Sequence, residues 1–379
     1  MPDPKTNDRV LDVALEKLLG RHQASFDTER AGRHIRGKVV LVTGAAGSIG
    51  SELCRQIANL RPHVLVGFDQ AETPLFHLER ELAQTFPELA FVPYIGNIAQ
   101  RHDVNAVMNQ YRPSIVFHAA AYKHVPMMER QILAAVDNNI FGTWQIALAA
   151  SRHGVEYFVL ISTDKVVRPV SVMGATKRVA ELVLRSLQRD QGTKFLAVRF
   201  GNVIGSSGSV VAIFKEQIAA GGPLTVTHPE MRRYFMTASE AGQLVLQALD
   251  LGEGGEIFVF DMGEPVRIVD LARDLIRLTG LEPDLDLHIK FSGVRPGEKL
   301  FEELHLQSEH LTPTQHPKIK SLVQPVNFSR VELRGNLREL KRRRNSRDAA
   351  GIRLQLKCLI PDFCPVPRSD QQIYDQAKA

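Results

Sequence analysis

Two side chains that could move protons together stand next to each other at Asp164 and Lys165, directly after Thr163. The preceding residues, YFVLIS, form a short apolar run that is typical of a buried strand, so the trio lies where such a strand ends. A carboxylic acid beside an amine suits an elimination, in which one group donates a proton and the other removes one. This chemistry requires surroundings that favour the neutral forms of both groups. The other interpretation is an ordinary surface ion pair.

A second candidate site is the glycine-rich turn from Thr43 to Gly50, which has the spacing G-x-x-G-x-x-G. It follows the apolar run KVVLV and precedes a stretch of helical periodicity, where dinucleotide-binding proteins hold a pyrophosphate. Gly44 permits a tight turn, Gly47 lets the backbone approach the phosphates, and Gly50 allows close helix packing. Asp69 ends the next apolar run, where it could bind a ribose hydroxyl and repel the extra phosphate of NADP. We therefore expect an NAD site rather than a merely structural turn.

Short apolar runs alternate with longer amphipathic segments from Lys38 onward. This alternation is typical of βαβ units, in which helices connect buried parallel strands. It predicts an α/β fold with a doubly wound parallel sheet of the Rossmann type. After about Gly201 the segments become shorter and rich in Gly and Pro, which predicts a smaller α/β lobe over the carboxyl edge of the sheet. The predicted strands are KVVLV, HVLVGF, FVPYI, SIVFHAA, YFVLIS and FLAVRF, and the clearest predicted helices are 48–59 and 175–188.

These patterns divide the chain into four parts. Residues 1–37 are a helical lead-in whose amphipathic part is VLDVALEKLL, and residues 38–200 are the NAD-binding domain. Residues 201–325 are the substrate lobe, with some chain returning to the sheet, and residues 326–379 are a basic tail, helical with a Pro-containing end. Much of the net charge of +5 lies in KRRRNSR, from Lys341 to Arg347. Its simplest interpretation is a solvated helix face, and the alternative is contact with anionic lipid or an acidic partner.

Composition excludes several classes of protein. Hydrophobic residues at 44% and charged residues at 23% are close to globular averages, so the chain is neither wholly disordered nor fibrous. No apolar stretch approaches the roughly 20 residues of a membrane-spanning helix, and the start has no signal core, so we expect a cytoplasmic protein. The 3 cysteines are scattered, and the 13 histidines form no H-E-x-x-H motif. We predict neither a metal site nor a nucleic-acid partner.

Five longer motifs resemble one branch of the extended short-chain dehydrogenases. They are similar to the polysaccharide-biosynthesis (CapD-like) family of UDP-N-acetylglucosamine 4,6-dehydratases, and the similarity runs from about Leu18 to Gln324. The spacing of the glycine turn also resembles the extended group that acts on nucleotide sugars. The resemblance implies a UDP-sugar substrate and tightly bound NAD. The motifs are HAAAYKHVP from His118, STDK from Ser162, MGATKR from Met173, THPEMRRYFMT from Thr227 and RPGEK from Arg295.

This resemblance implies a reaction cycle at carbons 4, 5 and 6 of the sugar. NAD oxidises carbon 4, water leaves across carbons 5 and 6, and the same hydride returns to carbon 6. By resemblance, Asp164 protonates the leaving hydroxyl on carbon 6, Lys165 removes the proton from carbon 5, and Thr163 binds the carbon 4 oxygen. The ketone at carbon 4 acidifies the carbon 5 proton, which explains why an elimination needs a redox cofactor.

One position departs from the wider superfamily, in which a tyrosine and a lysine four residues apart face the nicotinamide. Met173 stands where that tyrosine is expected, and a thioether cannot accept and return a proton at neutral pH. Larger, membrane-anchored members of the family also carry methionine there, so the exchange indicates that subgroup. This chain shows no such membrane portion, and we interpret it as a naturally soluble form or a catalytic fragment. Lys177 lies one helical turn later, where the family's lysine holds the nicotinamide ribose.

The resemblance also assigns contacts to both ends of the nucleotides. Asn97 stands where the family usually has aspartate, and its amide could make a similar contact to adenine. Arg295 and Arg233 could grip pyrophosphate oxygens with paired hydrogen bonds, with Arg232 as a rival to Arg233. The other predicted cofactor contacts are Ser48, Ile49, Ile98, Ala119 and Ala120, and the other predicted substrate contacts are Lys123, His124, Asn202 and Glu298.

Two other functions stay open on sequence alone. A nucleotide-sugar 4-epimerase shares the fold and cofactor, but it relies on the tyrosine that Met173 replaces and gives the Asp164–Lys165 pair no role. A sensor that binds NAD without turnover tolerates the loss of tyrosine, but leaves a substrate lobe superfluous. We also expect a homo-oligomer, dimeric or higher, as in relatives. The exact sugar, the stereochemistry at carbon 5 and the downstream pathway are not predicted.

Overall fold

The computed structural model describes residues 27–189, 191–306, 309–322 and 329–365. The predicted amphipathic segment VLDVALEKLL lies outside these residues, as does the chain after residue 365. The part of the lead-in that is described contains one helix, α1 (Thr28–Ile35), which Asp27 caps by accepting from the Arg30 N–H. Its buried residues Ala31 and Ile35 belong to the core on one face of the central sheet.

Strands and helices alternate up to Arg199, as the sequence predicts. Each predicted apolar run forms a strand, so the doubly wound α/β fold is confirmed. The helix predicted at 175–188 begins earlier, because Ser171 caps its first turn by accepting from the Gly174 N–H. The strands are β1 (Val39–Thr43), β2 (Val64–Asp69), β3 (Phe91–Ile95), β4 (Ile115–His118), β5 (Tyr157–Ile161) and β6 (Lys194–Arg199); the helices are α2 (Ser48–Asn59), α3 (Glu72–Thr85), α4 (Arg101–Tyr111), α5 (Val125–Arg130), α6 (Ile132–Ala135), α7 (Thr143–Arg152) and α8 (Val172–Leu187).

The chain from Gly201 onward builds small sheets and then returns to the large one. Three short strand pairs, β7 with β10, β8 with β13 and β9 with β12, surround a separate apolar core. Two helices pack among them, and two more follow at the carboxyl end. The elements are β7 (Asn202–Val203), α9 (Val210–Ala219), β8 (Leu224–Val226), β9 (Arg232–Arg233), β10 (Phe235–Met236), α10 (Ala238–Leu251), β11 (Ile257–Phe260), β12 (Val266–Arg267), α11 (Ile268–Leu278), β13 (Ile289–Phe291), β14 (Leu311–Pro313), β15 (Ile319–Leu322), α12 (Arg330–Asn345) and α13 (Ala349–Leu359).

The central sheet has nine strands in the order β14-β15-β11-β6-β5-β4-β1-β2-β3. The strands from β11 to β3 run parallel, whereas β15 and β14 add to the edge in antiparallel fashion. The order reverses between β1 and β4, and in open parallel sheets such a reversal leaves a crevice at the carboxyl ends of the strands, where ligands bind. Both β1 and β4 end at this crevice, and one apolar core covers each face of the sheet.

The helices α12 and α13 form a C-terminal hairpin that packs into one of these cores. Leu333 and Leu340 from α12 and Leu356 from α13 share a buried cluster with strands of the sheet. Two arginines also fasten the hairpin: Arg344 forms a bidentate ion pair with Asp137, with 2.6 Å N–O distances, and Arg353 lies 2.9 Å from Glu129 Oε2. Part of the basic cluster is therefore engaged within the fold. Among the described helices, none is both long and apolar enough to cross a membrane.

Candidate active site

The glycine turn between β1 and α2 leaves room for a ligand because side chains cannot fit there. Gly44 has a positive φ of 70°, and a Cβ on it would lie 2.6 Å from the Ala120 nitrogen. A Cβ on Gly50 would overlap the Gly44 carbonyl. Gly47 precedes α2 and supplies no side-chain cap, so the first N–H groups of α2, from Ser48 and Ile49, are available to an anion.

The predicted cofactor residues line the carboxyl edge of neighbouring strands. Asp69 ends β2 and accepts from the backbone N–H groups of Ala46 and Ala71, at 3.0 and 2.9 Å, so its carboxylate is held against the glycine turn. Asn97 follows β3 and uses its side-chain oxygen to accept from the Ala99 N–H at 2.8 Å. Beyond these, Ile98 is buried against Gly142, and Ala119 and Ala120 follow β4 directly.

The Asp164 carboxyl is the centre of the predicted acid–base group. Its side chain is fully buried just beyond β5, and its Oδ1 accepts from the Thr163 hydroxyl at 2.7 Å and from Lys165 Nζ at 2.9 Å. Lys165 also donates to Asn202 Oδ1 at 3.1 Å. The other carboxyl oxygen, Asp164 Oδ2, is buried without a hydrogen-bond partner among the described residues. The structure therefore brings four predicted site residues together in one hydrogen-bonded group.

Helix α8 carries Met173 and Lys177 to the same edge. Both side chains are buried, and Met173 belongs to the apolar core, so no proton acceptor stands at its position. Burial lowers the pKa of Lys177 to about 8, while the nearby Glu181 carboxylate opposes the shift. Close to neutral pH, Lys177 is therefore a buried cation beside the crevice.

Gly174 allows α8 to approach the loop that holds Asp164, because a Cβ at this position would overlap the Lys165 carbonyl oxygen. We expect Gly174→Ala to displace Lys165 and to lower both activity and the free energy of unfolding. The matched control is Gly335→Ala, which places a methyl group in open space on α12 and should stabilise the protein by about 0.5–1 kcal/mol. Urea unfolding of both variants checks this. Equal effects of the two substitutions would show that the close approach at Gly174 is not tight.

A buried ionic network lies beneath the site. Glu181 on α8 accepts two hydrogen bonds from Arg199, at 2.9 and 2.8 Å, and one from the Ser162 hydroxyl at 2.7 Å. Arg199 also donates to Glu309 at 3.2 Å. Burial alone would raise the pKa of Glu181, but Arg199, Arg178 and the Ser162 hydroxyl together outweigh it and lower that pKa to about 2. This network ties α8, β6 and the residue before Thr163 together, and sequence analysis missed it.

The arginines predicted to bind the substrate differ in exposure. Arg295 is half-exposed and pairs with Glu298, with 2.7 Å between Nη2 and Oε1, so its guanidinium group faces solvent. Arg233 is buried and donates to backbone carbonyls of Arg232, Lys299 and Leu300. Its rival Arg232 is the more exposed of the two and lies over the Phe301 ring at 5.7 Å from the centroid.

Lys123 and His124 directly precede α5, and His124 is its N-cap residue. A Cβ on Gly208 would lie 2.7 Å from the His124 ring, so these two segments touch. The neighbouring Ser207 N–H donates to Ser48 Oγ at 3.1 Å, which joins the second lobe to the start of α2. Among the described residues, no group of His, Cys, Asp and Glu could hold a metal ion.

Glu302 is a site residue that sequence analysis did not identify. It follows the RPGEK motif, its side chain is 4% exposed, and its Oε2 is buried without a hydrogen-bond partner among the described residues. Its other oxygen lies 4.0 Å from Arg233 Nη2. The signal that could have found it is weak, since Glu302 is simply the first of two adjacent glutamates in a loop.

The sequence matches one known protein family over most of its length. The model of a family described as polysaccharide biosynthesis protein matches residues 40–324. This chain belongs to that family. CapD of Staphylococcus aureus, a capsular polysaccharide biosynthesis protein, is 51% identical over 305 residues, which are 80% of this chain and 51% of CapD. The chain thus spans about half the length of this family member.

Other proteins similar to this chain include enzymes named for nucleotide-sugar chemistry. An inverting UDP-N-acetylglucosamine 4,6-dehydratase of Campylobacter jejuni is 31% identical over 77% of this chain and 87% of its own length. A UDP-glucose 4-epimerase of Rickettsia canadensis is 33% identical over 70% and 77%. The solved structure of Pen from Bacillus thuringiensis has a TM-score of 0.71 and 32% identity, covering 78% of this chain and 90% of Pen. The NAD+ complex of WbmH from Bordetella bronchiseptica has a TM-score of 0.55 and 26% identity, covering 68% and 87%.

Proposed function

We propose that this family member is an NAD-dependent UDP-N-acetylglucosamine 4,6-dehydratase that forms a UDP-4-keto-6-deoxy sugar for surface polysaccharide or glycan synthesis. The observation that carries the proposal is the hydrogen-bonded group of Thr163 and Lys165 around the buried Asp164, an acid–base pair without the superfamily's tyrosine. Similarity to a Campylobacter jejuni dehydratase supports the reaction. We further propose a cytoplasmic location and a homo-oligomer, as expected from the sequence.

The residues of the crevice fit NAD. Gly44 and Gly50 leave space that a side chain would fill, the start of α2 offers N–H groups to a pyrophosphate, and Asp69 is placed for a ribose hydroxyl. Lys177 would hold the nicotinamide ribose. When bound, NAD supplies a hydride acceptor for carbon 4 and a hydride donor for carbon 6. An NAD+-bound structural neighbour supports this cofactor, and Asp69 favours it over NADP.

Thr163 offers a proton path that replaces the missing tyrosine. In our proposal the Thr163 hydroxyl gives its own proton to Asp164 Oδ1, 2.7 Å away, and takes the proton of the sugar's carbon 4 hydroxyl in its place. Asp164 then donates the same proton to the leaving hydroxyl on carbon 6, while Lys165 removes the proton from carbon 5 and later returns it. One proton equivalent from the carbon 4 hydroxyl therefore leaves in the water molecule, while the hydrogen on carbon 4 moves as hydride, so the protons balance.

The nucleotide end is proposed to lie against the second lobe. Arg295 has an exposed guanidinium group that suits a pyrophosphate oxygen. Arg233 donates to three backbone carbonyls and so supports the loop that contains Lys299 and Leu300. We therefore assign the pyrophosphate contact predicted for Arg233 to its neighbour Arg232. Asn202 holds Lys165 in place through its side-chain oxygen.

A 4-epimerase is the second candidate, since a UDP-glucose 4-epimerase is also a relative. Met173 counts against it because an epimerase must move a proton at carbon 4 through the tyrosine that is absent here. The test is to incubate purified protein with UDP-N-acetylglucosamine without added cofactor and to follow product mass. A product lighter by one water molecule supports the dehydratase. An unchanged mass with conversion to the galacto isomer supports the epimerase, and no conversion of UDP- or TDP-sugars would leave NAD binding without turnover.

Cofactor affinity should depend on pH through Lys177. Because the pKa of Lys177 is lowered to about 8, its positive charge is present below that pH and is lost as the pH rises through it. We therefore expect NAD to bind more weakly at alkaline pH, measured by calorimetric titration of protein stripped of cofactor. Lys177→Arg keeps the charge and should remove the pH dependence. An affinity that stays constant in the unmodified protein would contradict the role of Lys177.

A further inference from the structure

Glu302 is a buried carboxyl that the proposed reaction does not yet use. Its loop is held over the site, because Lys299 donates to the Val167 carbonyl at 2.8 Å, just past the Asp164–Lys165 turn. Its Oε2 and Asp164 Oδ2 are both buried without hydrogen-bond partners among the described residues. Asp164 pairs directly with Lys165 Nζ at 2.9 Å, and the Lys165 charge also acts on the buried Glu302 carboxyl without a direct ion pair between them.

The charges around Glu302 explain how it could bind a proton. Burial raises the pKa of Glu302, Lys165 lowers it, and Asp164 raises it. Arg233 and Lys299 also lower that pKa, but both are engaged with backbone carbonyls. The carboxyl therefore has a stronger proton affinity than an exposed glutamate.

The proposed cycle leaves one proton unplaced. Lys165 forms an ion pair with Asp164 at 2.9 Å and also donates to Asn202, so in this arrangement it is an ammonium group. An ammonium group cannot remove the carbon 5 proton, so Lys165 must first release one. Asp164 cannot take the Lys165 proton, because it already holds the proton that Thr163 relays from the carbon 4 hydroxyl.

We propose that Glu302 takes up the proton that Lys165 releases, through one intervening water molecule, holds it during the elimination and returns it by the same path at the end of the cycle. Lys165 becomes a neutral amine as Glu302 becomes a carboxylic acid, and no charge is created. Lys165 then accepts the carbon 5 proton, gives it back to carbon 5 after hydride return, and recovers its original proton from Glu302. This inference rests on the proposed dehydratase, and Glu302 acts only through Lys165.

The test compares Glu302→Gln with Glu303→Gln in the full chain. At neutral pH, kcat of Glu302→Gln should fall about 10²-fold with little change in KM, since an amide cannot hold the proton. Its kcat should recover as the pH rises, because hydroxide or buffer then removes the Lys165 proton. Glu303 is 38% exposed and pairs at the surface with Arg168, so its variant should stay within about two-fold of the unmodified enzyme at every pH.

A purely structural role would give a different pH profile. It would lower kcat of Glu302→Gln by the same factor at every pH, and that result would overturn the inference. Glu302→Asp keeps a carboxyl group and should keep the pH profile of the unmodified enzyme. If the unmodified enzyme releases no water from the substrate, both the function and the inference fail. If it does so and Glu302→Gln matches it, only the inference fails.

A second readout needs no turnover. Burial raises the Glu302 pKa above the ordinary glutamate value of 4.5, so the folded state binds more protons than the unfolded state above that pH. The free energy of unfolding of the unmodified protein should therefore fall relative to Glu302→Gln as the pH rises from about 4.5. A difference between the two proteins that does not vary with pH would overturn proton binding by Glu302.

Discussion

Replacing Asp164 with asparagine should lower kcat about 10²–10⁴-fold, while the protein stays folded and still binds UDP-N-acetylglucosamine. Asparagine keeps the size of the side chain and the oxygen that accepts from Thr163 and Lys165. Asparagine cannot carry the proton of the carbon 4 hydroxyl to the leaving hydroxyl on carbon 6. Because Asp164 Oδ2 already lacks a hydrogen-bond partner, an amide nitrogen in its place adds little new cost. Steady-state kinetics with detection of the dehydrated product measures the effect.

Asp284→Asn is the matched control for this change. Asp284 is 61% exposed and has a positive φ of 66°, a conformation that asparagine also tolerates, so its variant should keep full activity. Thermal unfolding of both variants separates loss of chemistry from loss of fold. Near-normal turnover in Asp164→Asn would mean that another group protonates the leaving hydroxyl, and the proposed roles would have to be reassigned.

Replacing Glu181 with glutamine should cost about 3–5 kcal/mol of unfolding free energy, because Arg199 is left as a buried charge without its main partner. Arg199 is fully buried, so water cannot replace the carboxylate. The pKa of Glu181 is lowered to about 2, so this stabilisation is complete above the ordinary glutamate value of 4.5 and is lost as the pH falls toward 2. Urea unfolding at neutral and acidic pH measures both effects, and the two proteins should converge in acid.

Glu339→Gln is the matched control for the loss of stability expected in Glu181→Gln. Glu339 also has a pKa lowered to about 2, through its hydrogen bond with Arg342, yet it lies on the solvent face of α12. Water and salt screen such a pair, so its loss should change stability little. Equal destabilisation by the two substitutions would mean that burial does not control the strength of the Glu181 network.

Local patterns predicted the parts of the fold that local chemistry determines. Apolar runs such as KVVLV became strands because buried parallel strands need apolar residues on both faces. The glycine turn could be located because Gly44 and Gly50 occupy positions that exclude a Cβ. The Thr163–Asp164–Lys165 group was visible because its members are adjacent in sequence at the end of a strand. The start of α8 was missed by a few residues, although Ser171 is a recognisable cap.

Long-range electrostatics were not predictable in the same way. Arg199 lies in the apolar run FLAVRF, and a charge in a buried strand should have signalled partners. Their identity, Glu181 and Glu309, depends on how distant segments pack. Glu302 was missed for the same reason, because burial distinguishes it from Glu303 and the sequence around them does not.

The C-terminal hairpin lies beyond the residues that the family model matches, yet it is part of the folded core. The family match ends at residue 324, yet α12 and α13 bury Leu340 and Leu356 in the core of the sheet. Arg353 also grips Glu129, whose other oxygen accepts from the Val172 N–H at the start of α8, at 2.6 Å. Trimming the protein to residues 40–324 would therefore uncover an apolar surface and release the first turn of the helix that presents Met173 and Lys177. The hairpin therefore supports the helix that carries two residues of the candidate active site, although it lies outside the family match.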